Sequence, residues 1–102
     1  KLHQQFINKG IDDIYCLSVN DSFVMNAWLL SYTDSDKIIG IADGNGEITR
    51  DFNLLTDKSK NFMGMRSNRF AMIVHNNEIL EVCIENPGEY KVSSAENILS
   101  KL

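Results

Sequence analysis

The 102-residue chain holds one proline and two cysteines, and what it lacks narrows its class before any motif is read. Cys16 and Cys83 are too few for a secreted disulfide framework, and neither belongs to a CxxC motif. A reducing, cytoplasmic type of compartment follows as the expectation. Ten Lys and Arg stand against fourteen Asp and Glu, giving a net charge of −4 with no basic cluster. Neither a nucleic-acid footprint nor attachment to an anionic membrane is expected from that balance. No apolar run approaches the roughly 20 residues of a membrane-spanning helix, and no secretory leader is visible. His3 and His75 stand alone, with no cysteine or carboxylate at ligand spacing. No metal and no cofactor is therefore expected.

What remains is ordinary globular material, 43% hydrophobic and 24% charged, enough for one domain over residues 1–102. Its most telling stretch is CLSVNDSFVMNAW, Cys16 to Trp28. A β-type run stops at Asn20-Asp21-Ser22 and passes at once into an apolar helical pattern. Asn, Asp and Ser carry side-chain oxygens that cap the free N–H groups of a helix start. A strand feeding a helix over so short a turn is the βα unit of open α/β sheets, where sites gather at the carboxyl ends of strands.

The opening residues LHQQFINKG read as the late part of a helix that stops at Gly10. Lys1 then looks like a cut through a helix, and the chain is expected to be a fragment. A strand is predicted over Ile14–Val19 and a helix over Phe23–Tyr32, with Val24, Ala27, Trp28 and Leu30 or Tyr32 facing the core. A short buried-type strand, Ile38–Ala42, precedes the turn Asp43-Gly44-Asn45-Gly46, after which Glu47–Leu54 can form a short helix. Thr56–Lys60 reads as loop, and Phe62–Met65 carries no clear signal. Arg69–His75 and Glu78–Glu85 are predicted as a hairpin around Asn76-Asn77. Asn86-Pro87-Gly88 breaks the chain, and Ser93 or Ser94 caps a last helix, Ala95–Leu102, that turns Ile98, Leu99 and Leu102 inward. The order α-β-α-β-α-β-β-α opens with a parallel βαβ unit and closes with a hairpin and a helix.

Most candidate chemistry dissolves on inspection. Were Gly46 the sixth position of a calcium loop, Ile41 and Phe52 would fall where the first Asp and the last Glu are required, so DGNGEI is a surface turn. Cys16 and Cys83 lie in mid-strand without a helix N-terminus or cationic neighbour, which describes inert thiols. Asn20-Asp21-Ser22 matches a glycosylation sequon but reads as a cap. The terminal Ser100-Lys101-Leu102 matches a peroxisomal address, which would matter only in a eukaryote; a helix that ends in a charged residue and a core Leu is the favoured reading. Arg69 is different. It begins a strand of apolar residues, where a planar, permanently charged guanidinium could face an anion or developing negative charge. Arg66 is either a second cation or a solvated side chain.

Four segments, SVNDSFVMNAW, IADGNGEITRDFNL, MRSNRFAMIVHNN and PGEYKVSSAENIL, together resemble the peroxiredoxin-5-like (type II, atypical) peroxiredoxins. The likeness runs in order through the whole of residues 1–102. It implies an α/β, thioredoxin-like sandwich with a mixed central sheet whose N-terminal strands and the start of its catalytic helix are missing. It also implies thiol-dependent reduction of hydrogen peroxide and alkyl hydroperoxides through a cysteine sulfenic acid. In that family a helix N-terminus and an arginine hold the peroxidatic thiol ionised, and Arg69 matches the arginine. Asp21 and Phe23 match a turn near the substrate pocket and the dimer contact, so a homodimer is expected.

The family's Pro-x-x-x-Thr-x-x-Cys motif is absent from this sequence. The resemblance places the nucleophile roughly three helical turns before Lys1. Tyr90-Lys91-Val92-Ser93, where some relatives carry a resolving cysteine, has none. A one-Cys enzyme recycled by glutaredoxin, glutathione or thioredoxin is implied for the parent protein, and an inactive chain for the segment alone. The missing central strand should leave two separated strand pairs with open inner edges. The rival reading is a non-catalytic thioredoxin-like interaction module.

Overall fold

The turns marked by Asn, Asp, Ser and Gly become element boundaries in the computed structural model, which describes residues 2–32 and 35–102. Lys1, where the sequence suggests a cut through a helix, lies outside them. The chain divides into two compact units, Lys1–Ser67 and Asn68–Leu102.

In the first unit, α1 (His3–Asn8) ends at Gly10, whose φ of +95° is the left-handed stop expected there. Strand β1 (Tyr15–Ser18) pairs in parallel with β2 (Ile39–Ala42), Tyr15 opposite Ile39 and Ser18 opposite Ala42. Helix α2 (Ser22–Leu30) makes the crossover that a parallel pair requires. It lies close on β2 because Gly40 has no side chain: a Cβ there would stand 2.9 Å from Leu29 Cδ1 and 3.3 Å from Met25 Cγ.

The inward stripe of α2 is therefore Met25, which is buried, and half-buried Leu29. The predicted stripe was misplaced: Val24, Ala27, Trp28, Leu30 and Tyr32 are exposed. SFVMNAWLL is apolar nearly all round, so its periodicity does not select a face; the glycine on β2 does. Strand β2 is likewise more exposed than expected, because a two-stranded sheet with one covering helix leaves its other side open.

After β2, Asp43–Gly46 turns the chain into α3 (Glu47–Asp51), shorter than the predicted Glu47–Leu54. Leu54 is instead a fully buried anchor beyond it. The segment read as loop is structured. Strand β3 (Leu55–Asp57) pairs antiparallel with β4 (Met65–Ser67), and a 3-10 turn at Ser59–Asn61 lies between them. Three-residue strands with polar side chains carry too little alternation to be recognised.

The second unit is the expected hairpin and helix. Strands β5 (Phe70–His75) and β6 (Glu78–Ile84) meet around Asn76 and Asn77, at φ of +50° and +64°. Left-handed angles at both positions are what a two-residue turn needs to match strand twist, and Asn tolerates them. The register shifts between Ile73 and Val74, leaving Leu80 as an extra residue in β6. Of the two candidate caps it is Ser94 that caps α4 (Ala95–Ser100), accepting from the Asn97 N–H at 3.2 Å. Ile98 is buried, and Leu99 and Leu102 are half-buried. Among the described residues, parallel and antiparallel pairs occur in separate two-stranded sheets, three where the sequence predicts two.

Candidate functional site

Arg69 stands one residue before β5 and is exposed. Its carbonyl accepts from the Glu85 N–H at 2.9 Å, continuing the β5–β6 ladder by one rung. Its guanidinium carbon lies 4.9 Å from the centroid of the Tyr90 ring, within cation–π range. No carboxylate forms an ion pair with it among the described residues. A cation fixed at the backbone and across one face, yet unneutralised, is suited to an anion or to negative charge that develops during a reaction.

The loop that carries Tyr90 is held by a buried carboxylate. Glu85 Oε2 accepts from the N–H of Lys91 at 2.6 Å, the N–H of Ser93 at 2.9 Å and the Ser93 hydroxyl at 2.6 Å. Burial is the largest single influence on this carboxyl and raises its pKa. The bonds from Ser93, Lys91 and Val92 together outweigh it, so the net shift is downward and the group is held ionised. Asn97 Nδ2 adds a bond to the Val92 carbonyl at 2.6 Å. Sequence reading missed both Glu85 and Tyr90. The available signal was a glutamate ending an apolar strand eight residues before a serine, with one aromatic residue between.

In the other unit, Asp21 has the extended backbone of an N-cap, and its Oδ1 accepts from the Val24 N–H at 2.8 Å. Phe23 is 84% exposed and takes no part in the core. Asn20 donates to the Ser18 hydroxyl at 2.7 Å and accepts from Arg66 at 2.9 Å. Arg66 is thus a side chain tied into the fold and not a freely solvated one. It also donates to the carbonyls of Val19 at 2.6 Å and Met63 at 2.8 Å, as a clamp on the β1–α2 turn.

The cysteines keep their plain reading. Cys16 is half-buried in β1, and burial pushes its thiol pKa up, away from a reactive thiolate. Cys83 is buried in β6, and its Sγ donates at 3.9 Å to the Glu81 carboxylate. Among the described residues no group of three or more His, Cys, Asp or Glu could hold a metal ion. None of their helices is long and apolar enough to cross a membrane.

Comparison with known proteins gives this geometry its setting. Residues 1–99 match the Redoxin family. Peroxiredoxin-2D of Arabidopsis thaliana is 43% identical over 99 residues, which cover 97% of this chain and 61% of the relative. Peroxisomal membrane associated protein 20 of Schizosaccharomyces pombe is 39% identical over 102 residues, covering 97% of this chain and 65% of that protein. The crystal structure of reduced Prx3 from Vibrio vulnificus in complex with H2O2 superposes with a TM-score of 0.93 at 40% identity, covering 99% of this chain and 65% of that one. The chain therefore spans about three-fifths of the length of relatives such as the Arabidopsis protein, at 61%. Its architecture is the α/β arrangement of the thioredoxin-like fold that these structures share. The chain belongs to the redoxin family and is a peroxiredoxin by sequence and by fold.

Proposed function

We propose that the whole protein is a thiol-dependent peroxidase acting on hydrogen peroxide and alkyl hydroperoxides. In this reading residues 1–102 are the C-terminal part of a single thioredoxin-like domain. They supply the activating arginine, Arg69, while the peroxidatic cysteine lies upstream of Lys1. The observation that carries the reading is the unbroken family match over residues 1–99, with Arg69 exposed and unpaired by any described carboxylate. The raised thiol of Cys16 and the carboxylate beside Cys83 support a nucleophile other than either.

The chemistry asked of Arg69 is electrostatic. A thiolate sulfur attacks one peroxide oxygen, the O–O bond breaks, and the sulfur becomes a sulfenic acid while the other oxygen leaves as hydroxide or alkoxide. That oxygen takes a proton to become water or an alcohol. Two electrons pass from sulfur to the peroxide. A guanidinium beside the reacting atoms favours the ionised thiol beforehand and the leaving oxygen during bond cleavage. An external thiol then attacks the sulfenic sulfur, releasing water, and a second thiol frees the cysteine as a disulfide departs. Glutaredoxin, glutathione or thioredoxin would serve as that reductant.

A homodimer with Asp21 and Phe23 near its contact, and a cytoplasmic location, complete the proposal. In a eukaryotic source the peroxisome is the alternative location, as the name of the relative Peroxisomal membrane associated protein 20 suggests. The test is Arg69→Ala in the full-length protein, with peroxide consumption followed by stopped flow. The second-order rate constant should fall by about two orders of magnitude, with the melting temperature unchanged. An unaltered rate would remove Arg69 from the mechanism. A Thr-x-x-Cys encoded directly upstream of Lys1 is required by the same reading, and its absence would favour a non-catalytic interaction module.

A further inference from the structure

We infer that Tyr90 is a positioning residue for Arg69, and that Glu85 fixes Tyr90 in that role; the inference rests on Arg69 being the activating arginine. Arg69 is reached by Glu85 through both ends of that glutamate's connections. The Glu85 N–H holds the Arg69 carbonyl at 2.9 Å. The Glu85 carboxylate holds Lys91 and Ser93, the first and third residues after Tyr90. The aromatic ring then lies 4.9 Å over the guanidinium that the same glutamate anchors at its backbone. Glu85 is 7% exposed, so its bonds to the loop are shielded from competing water.

An arginine on a strand edge ordinarily samples many rotamers, and holding it for a reaction costs side-chain entropy. A ring across one face removes much of that freedom without using any of the five N–H donors, which lie in the guanidinium plane. A carboxylate partner would also hold the arginine, but it would neutralise the charge and occupy donors. Tyr90 leaves both for the reacting oxygens. The ring is 60% exposed, so it contributes little to a core, and its loop is nevertheless well anchored. The loop is tied at Glu89 to Asn86 at 3.0 Å, at Lys91 and Ser93 to Glu85, and at Val92 to Asn97. An exposed aromatic residue on a loop with that many ties is a platform, and the group it supports is Arg69.

The experiment uses the full-length protein with Tyr90→Leu, Tyr90→Phe, Arg69→Ala and the Tyr90→Leu/Arg69→Ala pair. It reads the second-order rate constant with hydrogen peroxide and the proton shift of Arg69 Nε–H. Tyr90→Leu should lower the rate constant roughly two- to fivefold and move the Nε–H resonance as the ring current is lost. Tyr90→Phe keeps the ring and should keep both values. In the Arg69→Ala background Tyr90→Leu should have no further effect, because there is no guanidinium left to position. An equal loss in both backgrounds would mark general damage to the loop and overturn the inference. Wild-type activity in Tyr90→Leu beside a strong loss in Arg69→Ala would overturn it while leaving the arginine's role intact. Wild-type activity in Arg69→Ala would remove the underlying reading, and this inference with it.

Discussion

Arg66 Nη1 donates to Asn20 Oδ1 at 2.9 Å across 46 residues of sequence. The same nitrogen reaches the Val19 carbonyl at 2.6 Å, and Nε reaches Met63 at 2.8 Å, so one side chain closes the β1–α2 turn against β4. These bonds are charge-assisted and converge from a rigid fork that an ammonium cannot copy. Arg66→Ala should destabilise the full-length protein by about 1–3 kcal/mol. Arg66→Lys should recover less than half of that. Denaturant midpoints at constant slope measure both, and a wild-type midpoint for Arg66→Ala would show the clamp to be idle.

A second tie of the same unit runs from Asp43 to Thr49, which is fully buried. Asp43 Oδ2 accepts from the Thr49 N–H at 2.8 Å and its hydroxyl at 2.7 Å, and Oδ1 accepts from the Ile48 N–H at 3.3 Å. The positional N-cap of α3 is Gly46, which has no side chain to offer, so Asp43 caps the helix from three residues further back. Asp43→Ala would leave a buried hydroxyl and N–H without an acceptor, at a cost of about 2–3 kcal/mol. Thr49→Val removes only the hydroxyl donor and should cost less. Equal losses in the two variants would mean that packing, not the carboxylate, holds this turn.

Asp43 and Glu85 together make the fold sensitive to acid. For Asp43 burial is again the largest influence and raises the pKa, yet the bonds from Thr49, Ile48 and Glu47 bring it below its ordinary value. Glu85 is lowered in the same way. A carboxylate with a lowered folded pKa binds its proton more readily when unfolded. Its contribution to stability is therefore complete above the ordinary carboxylate range, near pH 4, and is lost as pH falls through that range toward the folded values. Melting temperature should hold steady from neutrality to about pH 5 and then drop. The drop should be shallower in Asp43→Asn and in Glu85→Gln, each compared with its own value at neutrality. A parallel fall in all three proteins would assign acid sensitivity to other groups.

What the sequence revealed was largely its punctuation. Gly10, Asp21, Asn76-Asn77 and Ser94 each carry a local preference strong enough to end or begin an element alone, and each does so in the structure. The inward face of α2 was not legible, because it depends on Gly40 in a strand ten residues beyond the helix. Strands β3 and β4 escaped notice because each is fixed by the other and by Arg66, not by its own composition. At the site, Arg69 was visible as a charge at the head of an apolar strand. Its surroundings were not, since the reach of Glu85 to Ser93 and the ring of Tyr90 are tertiary facts.

Phe23 separates folding from assembly. At 84% exposed on the first turn of α2 it contributes almost nothing to the interior of its own unit. Phe23→Ser should therefore leave the denaturation midpoint within about 0.5 kcal/mol of wild type. In the proposed homodimer the same ring lies at the contact, where an exposed aromatic residue becomes an anchor worth about 2 kcal/mol when truncated. The dimer dissociation constant should then rise by roughly tenfold or more, read by sedimentation velocity over a concentration series. Asp21→Ser keeps a capping oxygen and should alter neither quantity by itself. A Phe23→Ser protein that dimerises as tightly as wild type would take Phe23 out of the interface and leave it a surface residue.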